Sequence, residues 1–234
     1  MANPYFRFKE FIIHQHGGVF KVNTDGVLLG AWANVSNPSS ILEIGSGTGV
    51  IAFMMAQRFP QATIKSIDIQ KEAIEVCRSN IAANSPRYAH IEFICGDVLS
   101  IHPAKAYDLI ISNPPFFEEN SHSASEVEKI AKHSTALNRV QWCEVVQGNL
   151  CQDGFAYLIY PFNAAEALEG EFEKAGLYII EKCLVRPNPH KPWHRVMYKL
   201  GKQKPMLIRE MDLTILGEHG YSAEYRRLTE AFYL

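Results

Sequence analysis

A chain of 234 residues, 47% hydrophobic and 21% charged, is long enough to bury one sizeable core, and its composition excludes a disordered or low-complexity polypeptide. Five scattered cysteines, odd in number and with no C-x-x-C pair, argue against both a disulfide framework and a zinc site. The formal net charge of −2 advertises no polyanionic partner, and no signal-like start or apolar run of membrane-spanning length occurs, so a cytoplasmic protein away from the membrane is expected.

In chain order, residues 6–22 read as an extended hairpin turning at Gly17-Gly18. Thr24 or Asp25 then caps a helix running to Ala33. Ser40-Ile41-Leu42-Glu43-Ile44 is a short apolar strand, followed by Gly45-Ser46-Gly47-Thr48-Gly49 and an apolar-periodic helix from Val50 to Phe59. Strand, glycine-rich turn and helix is the arrangement in which backbone comes close to a nucleotide-like ligand. The spacing is G-x-G-x-G, not the G-x-G-x-x-G of dinucleotide enzymes. Glu43, two residues before the first glycine, would repel a pyrophosphate but suits a sulfonium carrying an ammonium group.

A second strand over residues 63–67 is closed by Asp68, 23 residues past Gly45, where a carboxylate can take both ribose hydroxyls. Residues 71–80 form an amphipathic helix, with Ile74, Cys77 and Ile81 on one face. A third strand, 91–95, runs into Gly96-Asp97-Val98, where Asp97 can accept from an adenine amino group. Any one of these acids alone reads more simply as a solvated strand end. The series Glu43, Asp68, Asp97, Asn113, each closing a successive apolar strand, reads jointly as an S-adenosylmethionine site lined also by Gly45, Gly47, Gly49 and Val98.

The fourth strand, Tyr107-Asp108-Leu109-Ile110-Ile111-Ser112, delivers Asn113-Pro114-Pro115-Phe116. The Asn113 side-chain oxygen and the Pro114 carbonyl can each accept one N–H of a planar amine. The two prolines stiffen the turn and remove competing backbone donors, and Phe116 offers a face for base stacking. Taken alone, the tetrapeptide is also simply a turn after a buried strand. Residues 117–138 are polar and aperiodic, a long loop or weak helix beside that turn.

Helices near 140–150 and 164–175 and strands near 155–160, 178–185 and 195–200 complete the set. From Lys182 to Arg209 there are eight Lys or Arg and no Asp or Glu. Trp193, Tyr198, His190 and His194 interleave with them, which fits a surface meeting phosphate and base together, with Arg186, Lys191, Trp193 and Arg195 as its RNA-binding residues. The plainer reading is a solvated face. Pro189 and Pro192 forbid the helix that would make His190 and His194 a metal pair, and no metal is expected.

The glycine turn and the Asn-Pro-Pro-Phe motif resemble those of class I S-adenosylmethionine-dependent methyltransferases that modify exocyclic amines. Lys21-Val22-Asn23-Thr24-Asp25-Gly26 near the start, and Leu213-Thr214-Ile215 with Leu228-Thr229-Glu230-Ala231-Phe232-Tyr233-Leu234 at the end, extend the likeness from end to end to the bacterial tRNA1(Val) (adenine(37)-N6)-methyltransferase family. The resemblance implies an α/β fold with a seven-stranded, mostly parallel sheet, helices on both faces and an N-terminal hairpin and helix extension. It implies one domain over 1–234, with an extension over 1–36, a Rossmann-like core over 37–205 and a C-terminal extension over 206–234. It also implies S-adenosylmethionine as cofactor, with S-adenosylhomocysteine as product, and tRNA as partner, with no obligate protein partner. Lys21, Thr24 and Asp25 would approach the methionine end of the cofactor, though as residues they fit a helix cap equally well. Guanine-N2 rRNA methylation, glutamine-N5 protein methylation and a non-enzymatic RNA-binding module remain open at this level.

Overall fold

The computed structural model describes residues 3–16, 19–100, 105–114 and 137–234. The chain enters through an antiparallel hairpin, β1 (Tyr5–Arg7) and β2 (Ile12–His14), and then α1 (Thr24–Trp32). An alternation follows: β3 (Ser40–Ile44), α2 (Val50–Arg58), β4 (Thr63–Asp68), α3 (Lys71–Asn84), β5 (Ile91–Cys95) and β6 (Tyr107–Ser112). Beyond these come α4 (Arg139–Asn149), β7 (Leu150–Pro161), α5 (Ala165–Lys174), β8 (Tyr178–Arg186) and β9 (Arg195–Gly201). The last elements are β10 (Arg209–Thr214), a small hairpin of β11 (Leu216–Gly217) and β12 (Gly220–Tyr221), and α6 (Ala223–Thr229).

Eight strands form one sheet in the order β10-β8-β9-β7-β6-β3-β4-β5. All its pairings are parallel except those of β9, which runs against both β7 and β8. Alternate residues of each strand feed opposite faces, as the period of two requires. Ile41, Ile64, Leu109 and Ile111 join Phe53, Met54 and Leu28 on one side, while Leu42, Ile110, Leu158 and Tyr198 join Trp142, Val146 and Phe172 on the other. Both faces are therefore covered, which is why the strands read as near-continuous apolar runs. No helix among the described residues is long and apolar enough to cross a membrane.

The eighth strand, β10, comes from the stretch expected to be an extension beyond a seven-stranded sheet. It pairs parallel to β8 at the sheet margin with Arg209, Glu210 and Asp212 exposed, and such charges protect an edge while hiding the strand from a hydrophobic pattern. The first hairpin also turns elsewhere than expected. Its turn is residues 8–11, closed by Phe8 N–H donating to the Phe11 carbonyl at 2.9 Å, and its buried rings Phe8 and Phe11 stack at 4.5 Å. Gly17-Gly18 lies outside the described residues.

The reversed β9 decides which loops lie near which. Its first residue, Arg195, pairs with Pro161 at the end of β7, and Arg186 ends the parallel strand β8. The β8–β9 connection, 187–194, therefore sits at the carboxyl edge of the parallel strands, while the β9–β10 connection, 202–208, sits at the amino edge. The two ends of the chain meet as well. Lys9 donates from its backbone N–H to the Phe232 carbonyl at 2.8 Å and from Nζ to the Glu230 carbonyl at 2.6 Å, and Tyr233 packs on Phe6 and Phe8.

Candidate active site at the carboxyl edge of the sheet

The strand order turns about β3 and β6: β4 and β5 extend to one side and β7 to the other. In open parallel sheets ligands bind at the carboxyl ends where the order reverses. Glu43, Gly45, Gly47, Gly49, Asp68, Asp97, Val98 and Asn113, singled out in the sequence, all follow or close β3, β4, β5 or β6 at that edge.

After β3 the chain makes its glycine turn with positive φ at Gly45 (86°), Gly47 (52°) and Gly49 (84°). Positive φ strains residues that carry a Cβ, and here the lack of one also opens the backbone. Among the described residues, a methyl group on Gly45 would meet no atom within 4 Å, and one on Gly47 would meet only the Phe20 carbonyl, at 3.9 Å. Gly49 differs, because a methyl there would strike Phe93 at 3.0 Å and Cys77 at 3.2 Å, so this glycine serves close packing.

Asp68 at the end of β4 braces the turn. Gly47 N–H donates to its Oδ2 and Gln70 N–H to its Oδ1, each at 2.9 Å. The carboxylate is thus oriented, with lone pairs left over for further donors. Gly96 N–H donates to the Asp68 carbonyl at 2.9 Å, bringing the β5 end alongside, where Asp97 Oδ1 accepts from Leu99 N–H at 2.9 Å and Val98 is buried.

Glu43 is 1% exposed and points under the glycine turn toward α2. One carboxyl oxygen accepts from the Ser66 hydroxyl, which in turn shares a 2.6 Å hydrogen bond with Ser46 of the turn, while Oε1 has no close hydrogen-bond partner among the described residues. Burial pushes its pKa up to about 8; the Ser66 hydroxyl and the Ala52 backbone pull the other way, and the charge of Asp68 adds to the rise. Sequence suggested an open carboxylate at the ligand. Here Glu43 lies one layer below, reaching the turn through Ser66 and Ser46, and it holds its proton at neutral pH.

Asn113 follows β6, whose last residue, Ser112, donates from its hydroxyl to the Ile44 carbonyl at 2.9 Å and so locks the two strand ends together. The first turn of α1 lies close to Asn113: a methyl on Gly26 would come into ordinary contact with it, 3.6 Å from its Nδ2, and 3.5 Å from Val50 of α2. Pro114 is buried. Phe116 and Pro115 lie outside the described residues, as does most of the loop 117–138.

The cap of α1 is Asn23, not Thr24 or Asp25. Its Oδ1 accepts from Gly26 N–H at 2.8 Å, which leaves Thr24 and Asp25 inside the first turn. Asp25 instead takes Arg195 Nε at 2.7 Å. Arg195, expected among the RNA-binding residues, is thus paired with a carboxylate and mostly covered. Two other lysines of the basic run are likewise matched, Lys182 with Glu169 at 2.6 Å and Lys199 with Glu181 at 3.0 Å. Arg186 lies over the Trp193 ring at 4.7 Å and donates to the Thr214 hydroxyl at 2.9 Å, while Lys191 is exposed. Lys21 is also exposed, beside Phe20 near the turn.

A doubly covered sheet with a glycine turn after its central strand, an acid after the next and Asn-Pro-Pro after the fourth defines a methyltransferase of the class I S-adenosylmethionine-dependent fold. A family model described as "Methyltransferase small domain" matches residues 10–150. A predicted O-methyltransferase from Agrobacterium tumefaciens has a solved structure that superposes with a TM-score of 0.68 at 19% identity, covering 89% of this chain and 96% of its own. Sequence relatives narrow the assignment. A tRNA1(Val) (adenine(37)-N6)-methyltransferase of Vibrio cholerae is 37% identical over 234 residues, covering 100% of this chain and 97% of its own. A namesake from Phocaeicola vulgatus is 37% identical over 237 residues, covering 100% and 99%. The chain belongs to the tRNA1(Val) (adenine(37)-N6)-methyltransferase family.

Proposed function

We propose that this chain transfers a methyl group from S-adenosylmethionine to N6 of adenine 37 in tRNA1(Val), acting in the cytoplasm. The observation that carries the reading is the meeting of the glycine turn, braced by Asp68, with Asn113, held against the first turn of α1, at one edge of the sheet. The open backbone at Gly45 and Gly47 and the oriented Asp68 carboxylate fit a cationic adenosyl ligand. Asp68 would hold the ribose, Asp97 and Val98 the adenine, and the Gly45–Gly49 turn with Lys21 and Thr24 the methionine end. When bound, S-adenosylmethionine supplies an electrophilic methyl on sulfur and leaves as S-adenosylhomocysteine.

The work of the chain is to present the amine. An adenine amino nitrogen is a poor nucleophile because its lone pair is delocalised into the ring. Asn113 Oδ1 and the Pro114 carbonyl, each accepting one N–H, favour a more tetrahedral nitrogen with its lone pair free to attack. The proton leaves after the methyl arrives, so no strong base is required. Holding the partners in attack geometry supplies up to ~7–11 kcal/mol of the barrier reduction. Stacking on Phe116 contributes on the order of 1–3 kcal/mol of base binding. Arg186, Lys191 and Trp193, beside the β8–β9 connection at the same edge, would receive the RNA strand.

The test is methylation of a tRNA1(Val) transcript with labelled cofactor, read by mass spectrometry of the digested nucleosides. N6-methyladenosine at position 37, lost when that adenine is replaced by guanine, is expected. N2-methylguanosine, or label in protein, would overturn the base assignment in favour of the related amine methyltransferases.

A further inference from the structure

Arg195 and Asp25 stand 170 residues apart in sequence, yet Arg195 Nε donates to Asp25 Oδ2 at 2.7 Å, with only 15% and 18% of the two side chains exposed. Arg195 opens β9, wedged between Pro161 of β7 and Val185 of β8. Asp25 occupies the first turn of α1, where a carboxylate also suits the positive end of the helix. One residue on, Gly26 faces Asn113 Nδ2 and Val50. The far end of the same helix is fastened too, since Arg58 Nη1 donates to the carbonyls of Gly30 and Ala31 at 3.0 and 2.8 Å. Helix α1 is therefore held by an arginine at each end, and its first turn lies within a methyl group's reach of the Asn113 amide.

Arg195 also adjoins the connection 187–194, and its Nη1 donates to the His194 carbonyl at 3.1 Å. One guanidinium thus joins the RNA-facing loop to the helix turn that backs Asn113. Its bonds to Asp25 and to the His194 carbonyl make it a poor phosphate ligand, because a phosphate would have to displace a carboxylate from a mostly covered site.

We propose that Arg195 is a positioning residue for methyl transfer: through Asp25 it fixes the first turn of α1 against Asn113 and couples the seating of the β8–β9 connection to the amide that grips the acceptor amine. The proposal rests on the methyl-transfer reading above. Displacements of an ångström at such a support are enough to lower turnover by about a hundredfold.

The experiment uses the full-length protein and a tRNA1(Val) transcript with Arg195→Ala, Arg195→Lys, Asp25→Asn and the Arg195→Ala/Asp25→Asn double variant. Expected for Arg195→Ala is a ten- to hundredfold fall in kcat, with KM for tRNA and the salt dependence of tRNA binding unchanged. Arg195→Lys should recover part of the loss, being able to pair with Asp25 but not to keep the fork geometry. The double variant should be no slower than the worse single one, since both remove one link. Arg195→Ala with unaltered kcat overturns the proposal, as does a raised KM for tRNA with a flattened salt slope, which would make Arg195 a phosphate contact. If the alanine variant does not fold, Arg195→Lys decides by the same kcat criterion. Wild-type turnover is measured in the same series: its absence overturns the methyl-transfer reading and the proposal together, whereas normal wild-type turnover with an unaffected variant overturns the proposal alone.

Discussion

Asn80 and Asn84, one helical turn apart on α3, act together as a substitute strand for β2. Asn84 accepts from Ile12 N–H at 2.9 Å and donates to the Ile12 carbonyl at 2.8 Å; Asn80 does the same with His14, at 2.8 and 3.1 Å. The match is metric. Four residues of helix rise about 6 Å, and two residues of strand advance about 6.8 Å. Asn80 further donates to the Thr48 carbonyl at 3.2 Å, so one buried amide ties the N-terminal hairpin to the glycine turn.

Asn80→Ala should therefore destabilise the protein by on the order of 3 kcal/mol, because several buried backbone groups lose their partner at once. Urea unfolding would show it as a lowered midpoint with an unchanged m value. Asn84→Ala, at a half-buried site, should cost less. Equal and small effects from both would mean that the clamp adds nothing to folding.

Cofactor and acceptor roles should separate. Asp68→Ala should weaken S-adenosylmethionine binding about tenfold or more, since a charged, oriented acceptor is lost. Asn113→Ala should leave that affinity largely intact while lowering turnover by ~100-fold or more. Calorimetry and single-turnover methylation check the two halves. Unchanged cofactor affinity in the Asp68 variant would take Asp68 out of the site, and near-normal turnover in the Asn113 variant would sink the amine-gripping mechanism.

The buried proton of Glu43 sets a pH dependence. Its folded pKa, about 8, lies above the usual 4.5, so across that window the native state binds more protons than the unfolded one. Stability from this group is therefore fully present below about pH 4.5 and falls as pH rises toward 8, by at most ~1.4 kcal/mol per pH unit. Glu43→Gln removes the titration without changing the shape. Unfolding free energies measured from about pH 5 to about pH 8 should show the variant gaining steadily on the wild type. A constant difference across the range would contradict a buried, protonated Glu43.

For RNA, Lys191 is the open cation of the β8–β9 connection, and it makes no ion pair among the described residues. Lys191→Glu should weaken tRNA binding and reduce the log–log salt slope by roughly 0.7–0.9 per lost phosphate contact. Cofactor affinity should stay as it is. Lys199→Glu, whose lysine is matched with Glu181 far from this edge, should leave the slope unaltered. Identical slopes for wild type and Lys191→Glu would leave this loop without a role in RNA binding.

What could be read from sequence was what neighbouring residues decide among themselves. Residues 40–49 announce strand and turn because apolar period and glycine spacing are local, and the positions of Asp68, Asp97 and Asn113 at strand ends follow from counting along the same apolar runs. The pairing of Arg195 with Asp25 could not be read, because it depends on β9 running backwards through the sheet. The same reversal splits the basic run between two edges, and Glu169 and Glu181 offset part of a charge that looked concentrated along the chain. Asn23 was passed over as the α1 cap because three capping residues stand in a row, and only backbone geometry selects among them. The signal for the Asn80 and Asn84 clamp was present as two asparagines four apart on an amphipathic helix, but its partner strand lies nearly 70 residues upstream.

The bond between Lys9 and Phe232 bears on how the molecule is made. A ribosome delivers the first hairpin long before the segment that covers it. Until the final residues emerge, Phe6 and Phe8 of the nascent chain lack Tyr233, and α1 lacks the helix α6 that lies beside it. Because the first turn of α1 lies close to Asn113, synthesis of Asn113 precedes by more than a hundred codons the arrival of the residues that pack on α1 from the other end of the chain. The contacts that cover the first hairpin and α1 are thus made by residues synthesised about two hundred codons after them.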